Sequence, residues 1–184
     1  MAAVETIQIP LGFDAPDFSL PDTISGETMT LNDFKSEHAT VVMFICNHCP
    51  FVKNIWDQLI ALGKDYQEKG IKFVAISSND AENYPQDGPE KMKELAESTN
   101  FPYPYLFDET QEVAKAYQAA CTPDFSIFDS NLKCIYRGQL DDSRPSNGKT
   151  VDGKDIRAAL DNILAGKPVA ATQTPSIGCN IKWK

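Results

Sequence analysis

Two cysteines separated by two residues stand in the segment Phe44-Ile45-Cys46-Asn47-His48-Cys49-Pro50-Phe51-Val52-Lys53. Between a strand and a helix, a Cys-x-x-Cys pair reads as a redox dithiol. The reason is electrostatic. The first turn of a helix offers unpaired N–H groups and a partial positive charge, which favour thiolate over thiol and draw the pKa down from about 8.5. The thiolate is the form that attacks a disulfide. In most such dithiols the first cysteine opens the helix, but Pro50 argues for the other register. Proline is best tolerated at the first helical position, so Cys49 becomes the N-cap and Cys46 ends the strand. Cys49 is therefore the expected nucleophile and Cys46 a thiol able to resolve a mixed disulfide, with Lys53 adding positive charge one turn along. The competing reading is a pair of inert core thiols, since cysteine packs as a small apolar residue.

The surrounding elements must place that pair. Thr40 to Ile45 is apolar and β-branched without alternation, as expected of a central strand buried on both faces of a parallel sheet. Val52, Ile55, Leu59, Leu62 and Tyr66 then recur at helical spacing, with Gly70 at a helix C′ position. Ile71 to Ser77 reads as the next strand and Pro89 to Thr99 as a charged helix with an apolar stripe of Met92, Leu95 and Ala96. Thr110 to Tyr117 reads as a short helix. Phe125 to Phe128 and Cys134 to Arg137 read as antiparallel strands joined through Asp129-Ser130-Asn131. Asp155 to Leu164 is the last expected helix. Upstream, Asp17 to Leu20 and Thr28 to Leu31 flank Ser25-Gly26 and suggest a hairpin, serving as a lid or an edge. Strands alternating with helices indicate an α/β fold. The expected division is one domain over residues 1–167 and a tail over 168–184 that shows no period.

Cys121-Thr122-Pro123-Asp124 lies between a helix and a strand, far downstream of the dithiol. A dithiol followed much later by Thr-Pro entering a strand resembles the thioredoxin fold, and the resemblance implies a cis peptide before Pro123, facing the dithiol. The opening Ala15-Pro16-Asp17-Phe18-Ser19-Leu20-Pro21-Asp22 is similar to the entry of the redoxin and peroxiredoxin-like (AhpC/TSA) branch. The Cys46–Lys53 segment resembles a group of largely uncharacterised thioredoxin-like proteins. So do Cys121–Phe125, Arg137-Gly138-Gln139-Leu140-Asp141-Asp142-Ser143-Arg144-Pro145 and the ending Ser176–Lys184. The resemblance implies a thioredoxin-like α/β fold, with a central mixed sheet flanked by helices and an N-terminal hairpin, and thiol redox chemistry. One departure separates branches. Typical peroxiredoxins carry Pro-x-x-x-Thr-x-x-Cys. Counting back from Cys49 gives Cys46 and Val42, and from Cys46 gives Met43 and Ala39, so both registers fail. Disulfide reduction or exchange is thus favoured over an atypical peroxidase activity, for which Arg137 would be the activating guanidinium or else a surface charge.

Four further residues are weighed. Cys121, two positions before Pro123, is expected near the dithiol as a second candidate for resolution, with Thr122 beside it; the plainer reading is a small residue packed under the loop. Cys134 lies at a core-facing phase and is assigned no role. Cys179 stands in the aperiodic tail, where a thiol has no packing reason unless the tail docks or the cysteine reacts, and it is a possible third redox site. His48 is expected to tune the thiols by proximity or to serve as a neutral spacer. A second function class is a metal-binding module. Cys46, His48, Cys49 and Cys121 would suit Zn or Cu(I), as in Sco-type proteins, whose cysteines, however, have three residues between them. The favoured reading requires no cofactor and no metal.

Composition narrows the partners. The 184 residues are 42% hydrophobic and 23% charged, with a net charge of −9, and so lack a cationic surface for phosphates or headgroups. Nucleic acid and membrane partners are disfavoured. The longest apolar run, Val41 to Cys46, falls far short of the roughly 18 residues of a membrane span. No secretory signal pattern is visible, and five cysteines, an odd number, do not form a disulfide framework. A cytoplasmic, antioxidant thiol protein is expected, with thiol or disulfide substrates and an external thiol reductant.

Overall fold

The computed structural model describes residues 3–184. Its centre is β4 (Ala39–Phe44), six consecutive buried residues. Val41 and Met43 pack into one core while Val42 and Phe44 pack into a second on the opposite face. Both faces are covered, so the strand needs no polar alternation, which is why its sequence reads as an unbroken apolar run. β5 (Ile71–Ser77) pairs with β4 in parallel, and β6 (Tyr105–Phe107) continues the parallel order beyond β5. On the other side, β8 (Asp124–Asp129) is antiparallel to β4, and β9 (Cys134–Gly138) is antiparallel to β8. The five-stranded mixed sheet thus runs β6-β5-β4-β8-β9.

Helix α1 (Pro50–Tyr66) crosses from β4 to β5 and buries Val52, Ile55, Trp56, Leu59, Leu62 and Tyr66. Each fully buried leucine contributes about 1.5–3 kcal/mol. A short 3-10 turn follows, and Gly70 ends it at φ 83°, a left-handed conformation that costs glycine nothing. Helices α2 (Pro89–Thr99), α3 (Glu112–Ala116) and α4 (Lys154–Leu164) complete the layers. In α2, Met92 and Ala96 are buried, while Leu95 is only half-buried. The hairpin of β2 (Ser19–Pro21) and β3 (Thr28–Thr30) is a separate two-stranded sheet beside β6, tied to it by the Thr23 N–H to Tyr105 carbonyl bond of 3.1 Å. It is an edge structure. No helix among the described residues is long and apolar enough to cross a membrane.

Three short strands escaped the sequence reading. β1 (Ala3–Glu5), β10 (Ile177–Asn180) and β7 (Cys121–Thr122) form a small sheet in the order β1-β10-β7, antiparallel throughout. Cys179 pairs with Ala3 on one side and Thr122 on the other. The segment expected to be aperiodic therefore enters a sheet at its end, and the strand is too short to show a period. β6 was likewise hidden, since the prolines at 102 and 104 crowd its entry.

Candidate active site

The site forms where β4 ends and α1 begins. Cys49 is the N-cap of α1, in extended conformation, with Pro50 at the first helical position, as the sequence required. Both Cys46 and Cys49 are buried. The Thr122–Pro123 peptide is cis, as the resemblance implied. It lies against the dithiol, with the Thr122 hydroxyl 3.4 Å from Cys46 Sγ and the Thr122 carbonyl 3.1 Å from Cys49 Sγ.

Hydrogen bonding makes the two thiols unequal. Cys49 can accept hydrogen bonds from the Cys46 and Cys179 thiols and from the backbone N–H groups of Val52 and Cys179, which together lower its pKa to about 5 against the opposing cost of burial. When protonated, it donates instead to the Thr122 carbonyl. Cys46 is held well above the ordinary thiol range, first by the bond it gives to Cys49, then by burial and by the negative charge of Asp87. Lys53 is exposed and is not among the groups that lower Cys49. The expectation of a positive charge beside Cys49 is corrected: helix-end N–H groups and neighbouring thiols do that work.

Asp87, which the sequence reading missed, holds the loop between the cysteines. It is buried, and its Oδ1 accepts the backbone N–H groups of Asn47 (2.8 Å) and His48 (3.0 Å). Its Oδ2 accepts His48 Nδ1 and, at 2.8 Å, Asn79 Nδ2. The His48 ring stacks on Tyr84 with centroids 5.5 Å apart, so the histidine braces the loop. Tyr105 adds a bond from its hydroxyl to Asn47 Oδ1 at 3.1 Å. One signal for Asp87 existed. It lies in the polar loop after β5, between Pro85 and Gly88, at the carboxyl end of a parallel strand beside β4, where α/β folds build their sites.

Two candidates lie elsewhere than expected. Cys121 lies close enough to feel the charge of Cys49 but makes no hydrogen bond to either dithiol sulfur, because side chains alternate along a strand. Thr122 faces Cys46, whereas Cys121 meets the Thr6 hydroxyl at 3.7 Å, and burial, with Asp124 nearby, pushes it up to about 12. Arg137 is not a surface charge, and none of its hydrogen bonds reaches a dithiol sulfur. It is buried and gives three of its five N–H donors to the Ile7 carbonyl (2.9 Å), Ser126 Oγ (3.0 Å) and the Gln118 carbonyl (2.9 Å), with Asp124 3.7 Å away. Even so, burial raises the Asp124 carboxyl to about 6. Cys134 lies in the core on the far face of the main sheet, as expected. Cys179, by contrast, is at the centre: its Sγ is 2.8 Å from Cys49 Sγ, across 130 residues of chain.

The metal reading meets a different ligand set. Cys46, His48 and Asp87 offer atoms within 4.8 Å of one another, but Cys121 is not among them. Four N–H donors already surround the Asp87 carboxylate. A cation would have to displace them, so the cluster is built to fix a loop.

A mixed sheet flanked by helices, two cysteines at a helix N-terminus and a cis-proline loop against them define a thioredoxin-like fold. A 20% identical thioredoxin domain of a thiol-disulfide oxidoreductase from Bacteroides vulgatus shares that fold with a TM-score of 0.60, over 71% of this chain and 89% of the other. The family description AhpC/TSA matches residues 11–137, and the chain belongs to that family. An uncharacterised conserved protein from Geobacillus kaustophilus is 63% identical, with a TM-score of 0.98 over 100% of this chain and 97% of the other. A hypothetical protein from Sinorhizobium meliloti is 48% identical, with a TM-score of 0.95 over 98% of both chains. No protein with a curated description matches the chain.

Proposed function

We propose that the protein is a thiol-disulfide oxidoreductase, reducing or exchanging disulfides through the Cys46-x-x-Cys49 dithiol, with Cys49 as nucleophile and a second thiol of the cluster resolving the mixed disulfide. The observation that carries this reading is the asymmetry at the helix start: Cys49 receives several hydrogen bonds that favour its thiolate, while Cys46 is held protonated. An external thiol reductant resets the pair. Five free cysteines suit a reducing compartment such as the cytoplasm, and an antioxidant role there would run through disulfides.

Peroxide reduction by the usual route is less well supported. It asks for a hydroxyl and a guanidinium directed at the peroxide oxygens. Here the Thr122 hydroxyl serves Cys46, Cys49 faces a carbonyl, and the hydrogen bonds of Arg137 go to Ile7, Ser126 and Gln118 rather than to the thiols. The test is thiol-driven reduction of insulin disulfides by the purified protein. Catalysis by the wild type, with its loss in Cys49→Ser, is expected; equal rates in the two proteins would refute the reading. Stopped-flow mixing with hydrogen peroxide is the companion measurement. A rate constant on the order of 10^5 M⁻¹s⁻¹ or more, within the range of specific encounters, would favour a peroxidase instead.

A further inference from the structure

The C-terminal strand crosses the nucleophile and brings a third thiol to it. Strand β10 is held between β1 and β7, with Cys179 opposite Thr122. Its approach is unusually close at Gly178. A Cβ there would lie 2.0 Å from the Thr122 carbonyl oxygen and 3.0 Å from Pro123 Cδ, so only glycine lets the backbone come down onto the cis-proline loop. The Ser176 hydroxyl fastens the strand's entry by donating to the Pro123 carbonyl at 2.7 Å. The result is the 2.8 Å separation of Cys179 Sγ from Cys49 Sγ, less than about 1 Å of travel from a disulfide bond of roughly 2.05 Å.

We propose that Cys179, rather than Cys46, is the thiol that resolves the mixed disulfide on Cys49. The inference rests on the exchange activity proposed above and names its second step. Cys49 thiolate attacks a disulfide R–S–S–R′, forming Cys49–S–S–R and expelling R′–S⁻, which takes a proton from water. Cys179 sulfur then attacks Cys49 Sγ, its proton passing to the departing R–S⁻, and the Cys49–Cys179 disulfide forms. Two electrons move from the two protein thiols to the substrate, and an external thiol reductant returns them. Because β10 covers the buried Cys49, it must lift for the first attack and settle again for the second.

The surroundings favour Cys179 over Cys46 as the attacking sulfur. Cys179 is pushed up to about 12 by burial and then by the neighbouring Cys49 anion, with Lys182 acting in the opposite sense. Once Cys49 is tied up in a mixed disulfide, its negative charge is gone and the Lys182 contribution remains. Cys46 also loses its bond to Cys49 at that point, yet it keeps the unfavourable charge of Asp87. The Thr122 hydroxyl lowers Cys46, but by less than burial and Asp87 each raise it.

The experiment treats reduced full-length protein with oxidised glutathione and maps disulfides by non-reducing peptide mass spectrometry in the wild type, Cys46→Ser and Cys179→Ser. The expected result is a Cys49–Cys179 disulfide in the wild type and Cys46→Ser, and at least tenfold accumulation of glutathione on Cys49 in Cys179→Ser. Circular dichroism checks folding, and Cys179→Ala replaces the serine variant if that one unfolds. A Cys46–Cys49 disulfide in the wild type, with Cys179→Ser resolving at the wild-type rate, overturns the inference alone. No adduct or disulfide at Cys49 in any of the proteins overturns the exchange activity and this inference with it.

Discussion

Strand β4 brings six consecutive buried residues and is paired along its length on both sides, whereas β10 brings four, two of them half-buried, and is paired to strands of three and two residues. The five-stranded sheet around β4 fixes where Cys46 and Cys49 stand. The three-stranded sheet around β10 decides what stands over them. Packing of this kind separates the two in stability, because short strands with few buried apolar contacts open locally at far lower cost than a core strand. In the proposed exchange, the step that needs a cover to open and close falls to the weaker sheet, while geometry is kept by the stronger.

Breaking the strong sheet has the largest effect. Met43→Ala removes a fully buried side chain from β4 and is expected to lower global stability by about 2–5 kcal/mol in urea unfolding. A loss below about 1 kcal/mol would mean that β4 is not the core of the molecule. Gly178→Ala attacks the weak sheet. Its new methyl collides with the Thr122 carbonyl and forces β10 away. The expected global loss is under about 2 kcal/mol, paired with at least a tenfold rise in iodoacetamide labelling of Cys49, the kinetic trace of local opening. Unchanged labelling would show that β10 is not the cover.

The fold legible in the sequence belongs almost wholly to the strong sheet. Long apolar runs and a helical period of 17 residues in α1 carry their own signal, and Pro50 alone placed Cys49 at the helix start. The weak sheet was illegible, because strands of two to four residues have no period and β1 and β10 meet across nearly the whole chain. Cys179 was noticed only because a tail thiol had no packing explanation. Asp87 went unseen, since a carboxylate in a polar loop resembles any solvated one until its four N–H donors are located.

Acidity sharpens the comparison further. Cys49 titrates near 5 when folded, against about 8.5 in an unfolded chain. Between those values the unfolded chain holds a proton that the folded one has released, so the stability of the reduced protein rises with pH. The slope approaches at most about 1.4 kcal/mol per pH unit, and this contribution is lost as pH falls through about 5. Urea midpoints measured from pH 5 to 8 in wild type and Cys49→Ser check it. The slope should be shallower in the variant, and parallel curves would remove the thiolate from the site. Outside both sheets, the exposed Lys91–Glu94 pair on α2 provides the smallest effect. Lys91→Ala should change stability by no more than about 0.5 kcal/mol and leave Cys49 labelling alone.

Asn79 joins the end of β10 to the loop between the cysteines. Its side-chain oxygen accepts the Lys182 N–H at 2.9 Å, just past β10, while its amide nitrogen donates to Asp87 at 2.8 Å. One amide group thus has a hand on each part, and the two equilibria are thermodynamically linked. Whatever seats the tail also steadies the Asp87 carboxylate, and whatever disturbs that carboxylate loosens the tail by the same free energy. Hydrogen exchange of the β10 amides in Asp87→Asn measures that reciprocity at a distance from the substitution; unchanged exchange there would mean that the two parts answer to nothing in common.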